Sequence, residues 1–414
     1  YNLLAAADIE LPVWVHASSR SAVDASATST DFYALVTDRM IYVRPSYTIG
    51  WKNVTPTYAT GTVTATNGNP NLTFAGGTLL QTRGITAGQL ILIDGTYYTL
   101  GAPTSETAAT ITPNFGGATG GGKAFTIIRN FQGGAVFDRA HRSIHAVIYN
   151  ENLYVAGTYI GGADGVPRPA VIKVADIYSA TPTTSYLTGW TAFTTGLDVI
   201  SDLTRIAGIA TLQDGRVVIA GNFNEVFYSS NLNDAVWTTA PGGRNPLANM
   251  SNIIRAVGTL GRDITIHHAK GIILASPTGN ANEPLAFQPT AADRGCVCPL
   301  TLKTHAGREW YLAEDGGLHW FDGSRSGSAD NGELERRLKD LAVFAPTKYF
   351  SFFAGVHGDD EHSDNEYILF QGGQASRTRF WVFQIAQQRW WSHDAALPIG
   401  AMSDVVELST LGPQ

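Results

Sequence analysis

The chain has 414 residues, 44% of them hydrophobic and 15% charged, with a net charge of −7 and no basic run. That balance supplies a large core and excludes a protein that wraps nucleic acid through phosphate contacts, which needs a cationic groove. No apolar run reaches the roughly eighteen residues of a membrane-spanning helix.

A β-rich run, a tight polar turn and a second β-rich run recur along the chain. The unit is found at Tyr33–Val43, Ala146–Ala156, Ile209–Ala220, Ile264–Leu274 and Leu302–Leu312, and again in the region after Tyr349 at Asp364–Phe370. Small antiparallel sheets recurring every 40–60 residues or so predict an all-β, six-bladed β-propeller. Ahead of the first unit, Ile9–Val15 is strand-like and unpartnered. At the far end Ile399–Leu408 is strand-like too, and pairing of the two ends within one blade would close the ring without an exposed edge.

The first interval is too long for one blade. Its excess, about residues 57–130, is nearly free of charge and rich in Thr and Gly. Gly61–Thr66 reads as a strand before an Asn67-Gly68 turn, and Gly88–Leu100 as a hairpin around Asp94-Gly95. Ala108–Thr112 and Ala124–Ile128 add strands. The expected organisation is therefore propeller over 1–56, a small β-barrel domain over 57–130 inserted in the first blade, and the remaining blades over 131–414.

Farther along, Trp51, Trp190, Trp237, Phe287 and Trp390-Trp391 mark outer strands, where large aromatics fill the wedge between blades; a sugar-stacking platform is the sharper alternative. Ser229–Thr239 is expected as a hairpin with a polar turn, loosely like the Asp-box of sialidase-type propellers, with Asn231 and Asn233 in place of Asp and Gly. Cys296 and Cys298, one residue apart, make a poor bridge and a weak metal motif, and are expected as small buried hydrophobes.

Asn331–Leu341 is the one convincingly helical segment. Leu334, Leu338 and Leu341 share a stripe, Asn331 is the expected cap, and the stripe is a candidate contact with the neighbouring blade or with another subunit. Asp359, Asp360, Glu361 and Asp364 form the densest polar cluster, expected as a solvated hairpin tip and a candidate partner-contact loop. The cluster lacks the spacing of a calcium loop.

The search for chemistry is otherwise empty. His267 and His268 lie in a strand, so they point to opposite faces and cannot share a ligand. No nucleophile elbow, phosphate loop or dinucleotide fingerprint occurs. Asp198, Asp202, Asp263 and Asp293 are the carboxylates that could line a channel mouth, as a propeller glycosidase would require. No catalytic residue, cofactor or metal is assigned.

Two segments resemble phage virion proteins. Gly61–Phe125 looks like a small β domain of phage tail and adaptor proteins, with Gln89 where an acidic residue is usual. Glu309–Gly323, leading into the helix at Glu333–Leu341, is similar to a blade motif of tail nozzle and tail hub propellers of short-tailed bacteriophages: strand, Asp-Gly turn, aromatic-Asp-Gly, polar loop, short helix. The resemblance implies a non-enzymatic virion protein at the distal end of the tail. It implies a homo-oligomeric ring, expected as a hexamer, joined to an adaptor protein above and to fibres or spikes, with viral DNA passing through without sequence-specific binding. Two other readings stand beside it, a secreted propeller lectin or glycoside hydrolase and a receptor-binding tail fibre component.

Overall fold

The computed structural model describes residues 12–19, 31–37, 40–45, 49–81, 85, 87–128, 144–161, 166–186, 206–221, 224–231, 234, 237, 241–247, 253–340, 349–354, 366–371, 378–385 and 387–395. Apart from one short helix and a 3-10 turn at Pro299–Thr301, regular structure in these residues is antiparallel β. There are six four-stranded sheets and one sheet of eight strands among the described residues.

The first sheet has the order β1 (Pro12–Ser19), β2 (Asp31–Thr37), β3 (Ile41–Arg44), β4 (Lys52–Asn53). On β2 the alternate residues Phe32, Ala34 and Val36 are buried, the period of a pleated strand. Strands β5 (Thr57–Tyr58), β6 (Thr62–Ala65), β7 (Asn71–Ala75), β8 (Leu90–Ile93), β9 (Thr96–Leu100), β10 (Ala108–Thr112), β11 (Gly120–Lys123) and β12 (Phe125–Ile128) form the eight-stranded sheet.

The order in that sheet is β11-β6-β7-β10-β9-β8-β12-β5, and its registers carry more information than the order. Thr57 pairs with Ile128, Tyr58 with Ile127, Val63 with Lys123 and Ala65 with Gly120. Both sets pair residues 57–65 with residues 120–128, so the segment's first and last strands, β5 and β12, are partners. Strand β10 turns a corner, pairing with β7 through Ala108–Thr110 and with β9 through Ile111–Thr112. Leu72, Phe74, Ile91, Ile93, Ile111 and Ile127 belong to a core confined to residues 58–127. The Asp94-Gly95 turn has φ of 51° and 78°, the left-handed pair of a two-residue hairpin.

Five more four-stranded sheets follow, each a simple meander. They are β13 (Ile144–Tyr149), β14 (Asn152–Gly161), β15 (Val166–Ala175), β16 (Thr183–Tyr186); then β17 (Ile206–Thr211), β18 (Val217–Gly221), β19 (Glu225–Tyr228), β20 (Gly243–Pro246). Next come β21 (Ile254–Leu260), β22 (Asp263–His268), β23 (Gly271–Pro277), β24 (Leu285–Pro289), and β25 (Lys303–His305), β26 (Arg308–Leu312), β27 (Leu318–Phe321), β28 (Ser326–Ser328). The last is β29 (Tyr349–Ala354), β30 (Glu366–Gln371), β31 (Thr378–Gln384), β32 (Arg389–Ala395). Each recurring sequence unit falls on one of these sheets or on the first.

The chain divides into two compact units, one largely residues 51–205 and the other largely residues 206–414. Within the first, the Thr184 hydroxyl donates to the Val54 carbonyl at 2.7 Å, tying β16 to the segment after β4.

Within the second unit, successive sheets pack face to face. Val218, Ala220 and Val226 share a core with Ile264, Ile266 and Ile273. Ala256 and Ile272 share another with Tyr311 and Phe321, and Trp310 and Leu312 a third with Tyr367, Phe383 and Trp390. Strands covered on both faces lose the apolar–polar alternation, which is why β17, β18 and β22 read as nearly continuous buried runs. The first strands of successive sheets also run beside one another, β17 by β21, β21 by β25 and β25 by β29. Gly208 permits this approach, because a Cβ there would lie 2.5 Å from Cβ of Val257.

The helix α1 is described over Glu333–Asp340 and is capped differently from the expectation. Asn331 adopts φ of 53° and does not cap; Asp330 does, accepting from the Leu334 N–H at 2.8 Å and the Gly332 N–H at 3.0 Å. The described residues of Ser229–Thr239 lie in the connection between β19 and β20 and belong to no strand, and Trp237 among them is buried; the rest of the expected hairpin lies outside the described residues. Trp390 and Phe287 do stand on fourth strands, β32 and β24, whereas Trp51 is exposed. Trp190 and Ile399–Leu408 lie outside the described residues.

Candidate functional site

Among the described residues, ionisable side chains gather between the β21–β24 and β25–β28 sheets. Thr265 and His267 are two apart on β22 and so share a face; Glu309 on β26 meets both. The Thr265 hydroxyl donates to Glu309 Oε1 at 2.5 Å, and His267 Nε2 lies 3.0 Å from Glu309 Oε2. The backbone N–H of Cys296 donates to His267 Nδ1 at 3.2 Å, which makes Nε2 the protonated nitrogen of the neutral ring and aims its hydrogen at the carboxylate. Gly258 on β21 leaves room for Glu309, since a Cβ there would collide with Oε1.

Acid, imidazole and hydroxyl in contact are the parts of a proton relay. Here Thr265, His267 and Glu309 are each 0% exposed, so they join two sheets and are shut away from solvent. Cys296 and Cys298 behind them are free and buried. Burial pushes the Cys296 thiol up to about 12 and Cys298 well above its ordinary value, leaving both protonated and poorly nucleophilic. Burial, with the nearby charges of Cys296, Glu309, Asp293 and Asp315 adding to it, likewise raises Tyr311, whose hydroxyl donates to the Arg294 carbonyl at 3.0 Å.

Toward solvent the seam ends in Asp315, which is ion-paired to Arg294 and lies 3.2 Å from His319 Nε2. Partial burial alone would raise this carboxyl. The hydrogen bond from His319, the Gly317 N–H and the charges of His319 and Arg294 outweigh it and hold Asp315 at about 2.

His268 points the other way from His267, toward Asn224 Oδ1 at 3.0 Å, as strand alternation requires. Arg216 is another buried charge. Its Nε meets Asp214 at 2.9 Å, and its guanidinium donates to the carbonyls of Ser229, Pro241 and Ala281 at 3.1, 2.5 and 2.8 Å. It thereby fastens the β17–β18 turn to the tip of the β23–β24 hairpin.

Of the residues singled out in the sequence, Leu334 is fully buried in the chain's own core beside Trp390, Trp381 and Tyr367. That leucine therefore docks on the adjacent sheet and is not open to another subunit. Leu338 lies in α1, but its side chain, together with Leu341, Asp359, Asp360, Glu361, Asp364, Asp198 and Asp202, falls outside the described residues. Asp263 opens β22, and Asp293 lies in the loop after β24. No group of three or more His, Cys, Asp or Glu side chains suited to a metal occurs among the described residues. No helix among them is long and apolar enough to cross a membrane.

Glu309, Thr265 and Arg216 were not singled out in the sequence. One signal was present: in Arg308-Glu309-Trp310-Tyr311, alternation puts Glu309 on the face of Tyr311, a charged residue at an inward position.

No family model matches the chain, and no curated protein matches it. Among solved structures it is similar to a phage phi92 endosialidase at 10% identity and a TM-score of 0.27, over 72% of this chain and 52% of that one. It is similar to SapL1 lectin in complex with alpha methyl fucoside at 14% identity and TM-score 0.33, over 64% and 85%. It is similar to YCF48 from Cyanidioschyzon merolae at 11% identity and TM-score 0.33, over 90% and 93%. The chain spans about half the length of the endosialidase. Likenesses this weak carry no argument about activity or ligand.

Proposed function

We propose that the chain is a structural protein of a bacteriophage tail, a nozzle or hub subunit. In this reading the six four-stranded sheets are the blades of a propeller, and the eight-stranded sheet is a closed barrel let into the first blade as an assembly arm. One observation carries it. Six four-stranded sheets recur among the described residues, those from β17 onward packing face to face with first strand beside first strand, and between the first and second of the six in sequence lies a unit with its own core and with its entry and exit strands paired.

The blade-like segment supports the same reading. Its strand, Asp-Gly turn, strand and aromatic-Asp-Gly fall on β26, Asp315–Gly316, β27 and Phe321–Gly323, and α1 follows. The cluster of Thr265, His267 and Glu309 is sealed between sheets, which suits a scaffold role for it. The partners are further copies of the chain around a DNA path, an adaptor ring, and fibres or spikes. Low surface charge suits extensive contacts between subunits, since interface cores are poor in charged residues.

Negative-stain imaging of the purified full chain, alone and with the other tail proteins, tests the proposal. Rings with a central hole are expected. Solitary discs under both conditions would overturn it, as would glycan hydrolysis or saturable sugar binding by the isolated chain.

A further inference from the structure

The two adjacent histidines of β22 are both wholly buried, yet they stand in opposite electrostatic settings. His267 faces Glu309 and Thr265, with Tyr311 edge-on at 5.0 Å and the Cys296 N–H on its other nitrogen. A proton gained there would sit beside a carboxylate. His268 faces the neutral Asn224 amide across the β17–β20 side, and its buried Nδ1 has no hydrogen-bond partner among the described residues. Among these residues the charge-bearing group acting on it is His267, a like charge when protonated.

We propose that β22 is an acid-release strand: protonation of His268 parts the β21–β24 sheet from the β17–β20 sheet, while the contact with the β25–β28 sheet, held by Glu309, persists. The imidazolium would carry a second N–H into a site without an acceptor, and a buried charge without a partner is far costlier than a neutral ring. Opening that side to water relieves both costs. The other side has no such incentive, because its imidazole already has an anion in contact.

The sign follows from the position of the titration. Burial first, and then His267, lower His268 from 6.5 to about 4. The opened form, with the ordinary value, therefore binds the proton more readily. The closed packing is complete above the ordinary value and weakens as pH falls toward the depressed one, the open population rising up to about tenfold per pH unit across that window.

Hydrogen exchange of the full chain at about pH 7 and about pH 4.5, corrected for intrinsic rates, tests this. Acid is expected to raise exchange across β18–β19 and β22 by about tenfold or more, and across β26–β27 far less. No rise, or an equal rise on both sides, would overturn the proposal. His268→Gln should abolish the acid response. Asn224→Asp, which offers the imidazolium a carboxylate and spares the histidine, should bring the closed form's titration back toward the ordinary value and so shrink the acid rise at about pH 4.5 by about tenfold or more. A rise of undiminished size in Asn224→Asp would equally overturn the proposal.

Discussion

Glu309 shows how much one side chain can hold at the junction of two sheets. Its two oxygens take the hydroxyl of Thr265 and the ring of His267, all three shut away from water. Removing the carboxylate strands two buried donors, so Glu309→Ala should lower stability by about 3 kcal/mol, measured by urea denaturation. Glu309→Gln, which keeps one acceptor, should cost less. Gly258 is coupled to the same site: Gly258→Ala would push its methyl into Oε1 and should reproduce much of the Glu309→Ala loss. Alternation with Tyr311 hints that Glu309 faces inward, but Arg308-Glu309 beside a hairpin turn also looks like an ordinary wet corner, and nothing local names its partners. Its partners sit in a different sheet, and pairing across sheets leaves no trace in the spacing along a strand.

At the scale of elements, the helix and its cap divide what composition can and cannot reveal. The leucine stripe was legible, and Leu334 does face the core. The cap was misplaced by one residue because Asn331 turns left-handed and gives the position to Asp330. Asp330 also accepts from Trp390 Nε1 at 2.7 Å, so one carboxylate fixes both the start of α1 and the last described sheet. Asp330→Ala should cost about 2 kcal/mol in thermal unfolding, and the fluorescence of Trp390 should change with it. Asp330→Asn should recover part of the loss. The hairpins were legible for another reason: turns such as Asp94-Gly95 and Asp214-Gly215 combine a backbone that few residues adopt with flanking apolar runs. The recurring unit drifts in phase, falling on first and second strands in the β13–β16 sheet but on second and third in the β21–β24 sheet. The strongest turn of a sheet, and not a fixed position in it, caught the eye.

At the scale of the whole molecule, the segment 57–128 is the clearest modular feature. Its charge-poor, Thr- and Gly-rich composition set it apart in the sequence, and its own core and paired ends set it apart in space. Because Thr57 and Ile128 are ladder partners, a short linker could replace everything between them. A chain so shortened should keep a cooperative β-sheet unfolding transition by circular dichroism, with the midpoint within a few degrees of the full chain, roughly the effect of 1 kcal/mol or less. Collapse of that transition would mean that the two parts fold as one.

Both native thiols, Cys296 and Cys298, are buried. Any cysteine added on the outside therefore becomes the sole handle for a dye or a spin label. Spacings between copies in an assembly could then be measured on an otherwise unaltered chain.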